Sequence, residues 1–525
     1  MRVLVSDALS EEGISLLRQG AEVDVRLKMP PAQLLDIIGG YDALVVRSET
    51  KVTGAVIEAG TKLRVIGRAG VGVDNIDVET ATRRGILVVN APTAVTAAAA
   101  EHTIALMLAL ARHLPEANNS VKRGEWQRSR FLGVEVRGKA LGLVGIGNIG
   151  GEVAHLAKGL RMRVLAYDPF VSSEYAARIG IELMPLQELL QTADFVSVHV
   201  PLTATTRGMI GANELSLLKP TARIINCARG GIIDEAALLK ALDEGNLAGA
   251  ALDVFVQEPP VDSPLLASPK VVATPHLGAS TEEAQVTAAI EVANQVLAAL
   301  RGDAVKYAVN APAMQPETLA ALGPYIDLAE KLGQLFNQIG TAQLSSIEVV
   351  YNGEIAELNT ASVKASLVKG ILESVCEDPI NIVNALLLAK ARGVQIVEAK
   401  STEMVENYTN LVTLRVPGAK GVQELSGTVV RGRPHIVRIN QHWVDVVPTS
   451  GYVLFTEHDD RPGVIGKVAT LLGEAGINIS YIQASRVNGR GEQMMVLGVD
   501  DAISDEVFKQ ILEINEIRSA KVAKL

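Results

Sequence analysis

Cysteine is scarce: Cys227 and Cys376 are the only two in 525 residues, far apart and outside any CxxC pair or Cys/His cluster. That excludes a disulfide framework and a zinc site of the usual spacing, predicts no metal, and fits a reducing compartment. Basic blocks are missing too. Lys plus Arg number 49 against 59 Asp plus Glu, for a net charge of −10, so a nucleic-acid partner gripped through its phosphates is a poor reading. The opening MRVLVSDALS has no basic lead-in to a longer apolar run and no small-residue cleavage pattern, and reads as a strand. No run offers the about 20 apolar residues of a membrane span. The nearest, from Ala94 to Ala111, contains Glu101 and His102 and reads as a buried alanine-rich helix. A soluble cytoplasmic protein with no membrane partner is expected.

What remains is an ordinary globular composition, 48% hydrophobic and 21% charged, which should fold throughout. At roughly 100 to 200 residues per domain the length excludes a single compact unit and suggests about three or four domains. From Met1 to about Asn90, β-branched runs (VLVSD, AEVDVRL, ALVVRS, LRVIGRAG, ILVVN) alternate with helical patterns, which implies βα units and a parallel sheet. A second strand series follows the alanine-rich helix: KALGLVGIG, RVLAYD, FVSVHVP, RIINCA, AGAALDVF, VVATPHLG. The long helical pattern STEEAQVTAAIEVANQVLAALRG could carry the chain back to the first unit, and Asn310 to Pro312 mark a junction. Residues 313 to 450 mix helical stretches with strands such as SIEVVYNG, SGTVVRG and HIVRI and hold no catalytic constellation. Residues 451 to 525 read strand, helix, strand, strand, helix, strand, a βαββαβ order giving an antiparallel sheet with helices on one face.

Chemistry enters at LGLVGIGNIGG, where Gly145, Gly147 and Gly150 form G-x-G-x-x-G after an apolar strand. The glycines permit a tight turn, close backbone approach to a diphosphate and close helix packing. Helical spacing at Val153, Leu156, Ala157 and Leu160 shows that the turn opens a helix, whose N-terminal amides suit the diphosphate. Strand VLAYD ends at Asp168, eighteen residues past Gly150, where a carboxylate can bind ribose hydroxyls and repel a 2′-phosphate; NAD is favoured over NADP. Taken singly, Gly147 is a strand-to-helix turn and Asp168 a cap, but strand, triplet, helix, strand and acid in one unit argue for the cofactor.

Three further residues follow strands of the same unit: Arg229 in NCARGG, Glu258 in VFVQEPP and His276 in TPHLGAS. Reducing a keto acid needs a cation for carboxylate and carbonyl, a proton donor, and a carboxylate to stabilise the protonated donor; Arg229, His276 and Glu258 supply these in that order. His199 and His102 belong to no such constellation and read as structural.

The order GIGNIG, Asp168, CARGG, QEPP and PHLGAST resembles the D-isomer-specific 2-hydroxyacid dehydrogenases, and RAGVGVDNID (Arg68 to Asp77) is similar to their substrate-domain motif. The remaining chain resembles the intervening and ACT regulatory domains of long members of that family, which oxidise 3-phosphoglycerate in serine synthesis. The resemblance implies a substrate-binding cap of residues 1–95 completed by 287–310, an NAD-binding Rossmann domain of 96–286, an α+β intervening domain of 311–450 and an ACT domain of 451–525. Both catalytic units would be doubly wound parallel sheets. It further implies substrate contacts from Arg47, Arg68, Arg229 and His276, and a cofactor lying along Gly145, Gly147, Asn148, Ile149, Gly150, Asp168, Cys227, Ala228, Asp253, Gly278 and Ala279. In this family arginine often precedes the fingerprint isoleucine; Asn148 stands there instead, so one charge on the diphosphate is missing. His458, Asp460 and Asn478 are the implied contacts for L-serine, the pathway's end product, and a homodimer or homotetramer is implied, with Trp126 a candidate for packing into a partner subunit. A dehydrogenase for another 2-hydroxy acid such as 2-hydroxyglutarate, and an NAD-sensing corepressor that binds proteins, are the alternatives.

Overall fold

The structure, a computed structural model, describes the whole chain except residues 313–315, 341–343, 374–375, 377–379, 419–420, 449–450 and 487–490. Its first five strands, β1 (Arg2–Val5), β2 (Glu22–Val25), β3 (Ala43–Val46), β4 (Val65–Arg68) and β5 (Leu87–Asn90), form a parallel sheet in the order β2-β1-β3-β4-β5. Alternate residues serve opposite faces. Val3, Val5, Val45 and Val65 pack with Leu17, Val292 and Val296 on one side, whereas Leu4, Leu44 and Ile66 pack with Leu34, Val56 and Ile57 on the other. Covering on both faces explains why these short strands read as near-continuous apolar runs.

The helix Thr96–Arg112 leads into a seven-stranded parallel sheet: β6 (Ala140–Val144), β7 (Arg163–Tyr167), β8 (Glu182–Leu183), β9 (Phe195–Val198), β10 (Arg223–Asn226), β11 (Gly249–Leu252) and β12 (Val271–Ala273), ordered β12-β11-β10-β9-β6-β7-β8. The helix Glu282–Arg301 then returns to the first sheet, where Val292 and Val296 lie over Gly67 of β4. Asn310 fixes the exit: its Oδ1 accepts from the Val88 N–H at 2.8 Å and its Nδ2 donates to the Ile86 carbonyl at 2.9 Å.

A mixed sheet follows: β13 (Ser346–Gly353), β14 (Gln395–Ser401), β15 (Asn410–Gly418), β16 (Gly421–Val430), β17 (Arg433–Ile439) and β18 (His442–Val446), ordered β14-β13-β15-β16-β17-β18, with only β13 and β14 parallel. Helices Pro316–Ile339 and Ala361–Leu372 pack against it and each other. The last sheet, β19 (Tyr452–Asp459), β20 (Ile479–Arg486), β21 (Glu492–Val499) and β22 (Ile517–Lys524), runs β20-β21-β19-β22 and is antiparallel, with helices Val464–Glu474 and Asp505–Leu512 on one face. Its other face is not solvated. Val453, Phe455, Met494, Val496 and Ala523 merge with Leu332, Leu335, Phe336 and Leu425 in one apolar core, so the third and fourth units share an interior. By contrast, a small link ties the third unit to the first: Asn381 Nδ2 donates to the Gly85 carbonyl at 2.7 Å. No helix among the described residues is long and apolar enough to cross a membrane.

Candidate active site

The turn between β6 and the helix Asn148–Gly159 is built by its glycines. Gly145 has φ +94, and a Cβ there would stand 2.8 Å from the His199 carbonyl oxygen; one at Gly150 would stand 2.2 Å from the Gly145 carbonyl oxygen. Both positions therefore require glycine for the fold itself. At Gly147 a Cβ would meet nothing within 4 Å, so the second glycine faces open space at a helix N-terminus, the cradle a diphosphate needs. Asn148, exposed, is the first helical residue, and Ile149 tucks against the sheet core. At the end of β7 the half-buried Asp168 accepts from the N–H groups of Ile146 and Phe170, both at 2.9 Å. The carboxylate is thus held beside the glycine turn, and these residues fit a nicotinamide dinucleotide.

His276 lies past β12 in the left-handed backbone region, φ +55, a strained conformation for a non-glycine residue. Asp253, at the end of β11 and only 1% exposed, holds it there. The Asp253 carbonyl accepts the His276 N–H at 2.9 Å; its carboxylate accepts the Thr274 hydroxyl at 2.7 Å and the N–H groups of Leu277 at 2.8 Å and Gly278 at 2.9 Å. Burial works against the Asp253 charge, but the hydrogen bonds from His102, Thr274 and Leu277 keep its pKa below the ordinary carboxylate value. The His276 side chain, 47% exposed, places Nδ1 2.7 Å from Glu258 Oε2. Glu258 Oε1 accepts from the Phe255 N–H at 3.1 Å. Partial burial opposes the Glu258 charge, yet the bonds to His276 and Phe255 hold its pKa below the usual range. With Nδ1 engaged by Glu258, Nε2 of this exposed ring is the atom left to face a substrate. Ala279 packs against Val95, Ala98 and Ala284 where the chain crosses between sheets.

Three guanidinium groups converge opposite. Arg229 follows β10, where Asn226 steadies the turn: Nδ2 donates to the Arg229 carbonyl at 2.9 Å and Oδ1 accepts the Ala228 N–H at 3.0 Å. Arg229 Nε reaches Asp74 Oδ2 across the cleft at 3.0 Å. Arg68, at the end of β4, is pushed down to about 10, chiefly by burial, then by the positive charge of Arg229, against Asp74, with Arg47 lowering it further. Its Nε is buried without a hydrogen-bond partner. Arg47 sits on a loop fixed by Asp7, which accepts its N–H at 2.6 Å, and by Asn75, whose Nδ2 donates to its carbonyl at 2.7 Å. The cleft therefore concentrates cations in an acidic protein and suits a multiply charged anion.

Cys227 is largely buried, and its thiol is pushed up to about 12, mainly by burial. His199 is lowered to about 4 by burial, with Nε2 2.8 Å from the Ser197 hydroxyl, so it stays neutral and structural as expected. His102, also read as structural, instead reaches the hub behind His276: its Nε2 is 3.2 Å from both Asp253 and Thr274. Asp74 and Asn75 lie within the motif RAGVGVDNID, whereas no local spacing marks Asp7, which acts through space on Arg47 and Thr50. In the last unit the structure separates the expected residues by task. His458 is 1% exposed, with Nε2 3.1 Å from Gln493 Oε1. Asn478 is exposed and donates to Asp500 at 2.7 Å. Gly463 caps the helix Val464–Glu474, and the Asp460 N–H donates to the Gly491 carbonyl at 2.8 Å.

A dinucleotide turn, a His/Glu pair and an anion-binding arginine cluster between two parallel sheets define a nicotinamide-dependent 2-hydroxyacid dehydrogenase. The family model for the D-isomer specific 2-hydroxyacid dehydrogenase NAD binding domain matches residues 104–278, that for the D-3-phosphoglycerate dehydrogenase intervening domain matches 321–440, and the ACT domain matches 452–516. The D-3-phosphoglycerate dehydrogenase of Synechocystis is 45% identical over 100% of this chain and 95% of its own length; that of Methanocaldococcus jannaschii is 44% identical over 100% of both. Among solved structures, a Thermus thermophilus protein has a TM-score of 0.55 at 36% identity, covering 59% of this chain and 100% of its own. The Aquifex aeolicus D-lactate dehydrogenase complexed with NAD and lactic acid has a TM-score of 0.52 at 28% identity, covering 58% and 96%. The chain belongs to the D-3-phosphoglycerate dehydrogenase family.

Proposed function

We propose that this chain oxidises 3-phospho-D-glycerate to 3-phosphohydroxypyruvate with NAD, reversibly, as the first step of phosphorylated L-serine biosynthesis. The observation that carries the reading is the 2.7 Å pair of His276 and Glu258 beside the arginine cluster. Bound NAD supplies the acceptor for the C2 hydride. His276 removes the C2 hydroxyl proton at Nε2, and Glu258 stabilises the imidazolium through Nδ1; in reduction His276 returns the proton to the carbonyl oxygen. Arg229 pairs with the substrate carboxylate and C2 oxygen. Arg47 and Arg68 supply charge for the phosphate. Gly145, Gly147, Asn148, Ile149, Gly150 and Asp168 hold the dinucleotide, with Cys227, Ala228, Asp253, Gly278 and Ala279 along its nicotinamide end.

The test is NADH formation by the purified chain with 3-phosphoglycerate, beside 2-hydroxyglutarate, glycerate and lactate. Highest kcat/KM on 3-phosphoglycerate supports the reading. Preference for another acid would keep the reaction class and discard the phosphorylated substrate, and no turnover on any would return the corepressor reading.

Two finer points extend this reading. L-serine binds the last unit through Asn478 and Asp460, with His458 buried behind them, and lowers activity. The chain is a homodimer or homotetramer, a reading supported by exposed apolar side chains on one stretch: Leu114, Val121, Trp126 and Leu132, the last two 79% and 86% exposed. Light scattering of the parent and of Trp126→Ala checks the second point.

A further inference from the structure

Resting on the dehydrogenase reading, we propose that Asp74 is a positioning residue for Arg229: from the cap side of the cleft it fixes the guanidinium in the orientation that receives the substrate carboxylate. Each end of the guanidinium has a separate neighbour. Nε donates to Asp74 Oδ2 at 3.0 Å, and Nη1 donates to the Ala228 carbonyl at 2.6 Å. Nη2 lies over Gly72, where a Cβ would stand 1.7 Å from it. These contacts leave N–H groups on Nη1 and Nη2 for a ligand, since a guanidinium carries five. Two of the three neighbours, Gly72 and Asp74, belong to the loop after β4, while Arg229 follows β10 of the other sheet. Arg229 is therefore oriented only while the two lobes are together.

No other cap carboxylate in this cluster could do the same. Asp7 is 3% exposed and consumed by the Arg47 N–H, the Thr50 N–H and the Thr50 hydroxyl. Asp74 is 65% exposed and its partner 27%. Exposed pairs contribute little to stability, so the fold gives no reason for a carboxylate inside an anion site. Its charge even opposes the substrate. Orientation of Arg229 outweighs that repulsion, because misplacing a group that contacts the reacting centre costs more than a screened charge does.

Removing the carboxylate and removing only its charge should thus have opposite consequences. In the full-length chain with saturating NAD, Asp74→Ala should lower kcat for 3-phosphoglycerate roughly 10-fold or more, because Arg229 loses its tether. Asp74→Asn keeps an acceptor for Nε and should recover most of kcat, while KM falls below that of the parent because the repelling charge is gone. Gly72→Ala, which displaces Nη2, should reproduce the alanine loss. Amide exchange at residues 70–75 and 228–231 should quicken in Asp74→Ala and not in Asp74→Asn, a readout independent of turnover. Parent-like kcat and KM in Asp74→Ala, or an Asn variant no better than the Ala variant, would overturn the proposal. Failure of the parent on every 2-hydroxy acid would count against the dehydrogenase reading instead, and unchanged exchange in Asp74→Ala would then overturn the tether as well.

Discussion

His102 Nε2 stands 3.2 Å from the Asp253 carboxylate, which joins the helix crossing out of the cap to the acid that clamps both flanks of His276. Asp253→Ala would strand the N–H groups of Leu277 and Gly278, while the Thr274 hydroxyl keeps His102, at roughly 1–3 kcal/mol for each buried donor left unmet. We expect a clear drop in the urea midpoint together with lower kcat. The sign with pH follows from its lowered pKa: the stabilisation is present above the ordinary carboxylate value and fades as pH falls through the lowered one. His102→Ala removes its contacts to Asp253 and Thr274 but leaves the Asp253 clamp on Leu277 and Gly278, and should cost less than Asp253→Ala on both measures; equal losses would mean Asp253 is no hub.

Replacing His276 with Ala should lower turnover roughly 10² to 10⁴-fold while NAD binding, measured by calorimetry, survives. Glu258 is held below the usual carboxylate range, so the His276–Glu258 pair persists at neutral pH and is lost as pH falls through that lowered value. Glu258→Gln should change the acid limb of the kcat/KM profile; an unaltered profile would remove Glu258 from the mechanism.

Asp168→Ala should weaken NAD and narrow its advantage over NADP, because the carboxylate beside the glycine turn would no longer bind ribose hydroxyls or repel a 2′-phosphate. Initial rates with both cofactors decide this, and an unchanged preference would assign the discrimination elsewhere.

Cys227 lies in the cleft but its thiol, at about 12, carries almost no thiolate at neutral or mildly alkaline pH. Iodoacetamide at about pH 8 should leave it intact in the folded chain and modify it after unfolding, as read by peptide mass spectrometry. Rapid labelling in the folded state would contradict the burial.

L-serine should bind the parent in calorimetry and bind weakly or not at all to Asn478→Ala. Binding without a change in rate would show equal affinity for the two activity states, since only differential affinity shifts a population.

Much of this was legible because it is local. The glycine triplet, Asp168 and the strand-end positions of Arg229, Glu258 and His276 are spacings along the chain, and the parallel sheets impose apolar runs that betray them. The βαββαβ order of the last unit was equally plain, every element falling where its pattern indicated. The third unit was less readable. Its strands β14, β15 and β18 escaped the pattern, because the helix Ala385–Ala391 passes through a short turn straight into β14 at Gln395. That strand exposes much of its surface at the sheet edge, so no clean alternation marks it. The partners of Asp74 and His102 stayed hidden for a different reason: Asp74 stands inside the motif RAGVGVDNID and His102 on a helix face, but Arg229 and Asp253 are brought near them only by folding.

The interior shared by Phe336, Phe455 and Met494 makes the C-terminal half a lever more than a pair of hinged parts. A ligand that tilts the last sheet must swing the helix Pro316–Ile339 with it, because sliding Phe455 away from Phe336 would open a void in a close-packed interior. Motion then reaches the first unit through the covalent stretch after Arg301 and through Asn381, whose amide rests on Gly85 at φ +68, beside Ile86 and Val88, which hold Asn310. Leverage applied there bears on the very lobe that carries Gly72 and Asp74, so an effector seated on the last unit would act on Arg229 by parting the cleft.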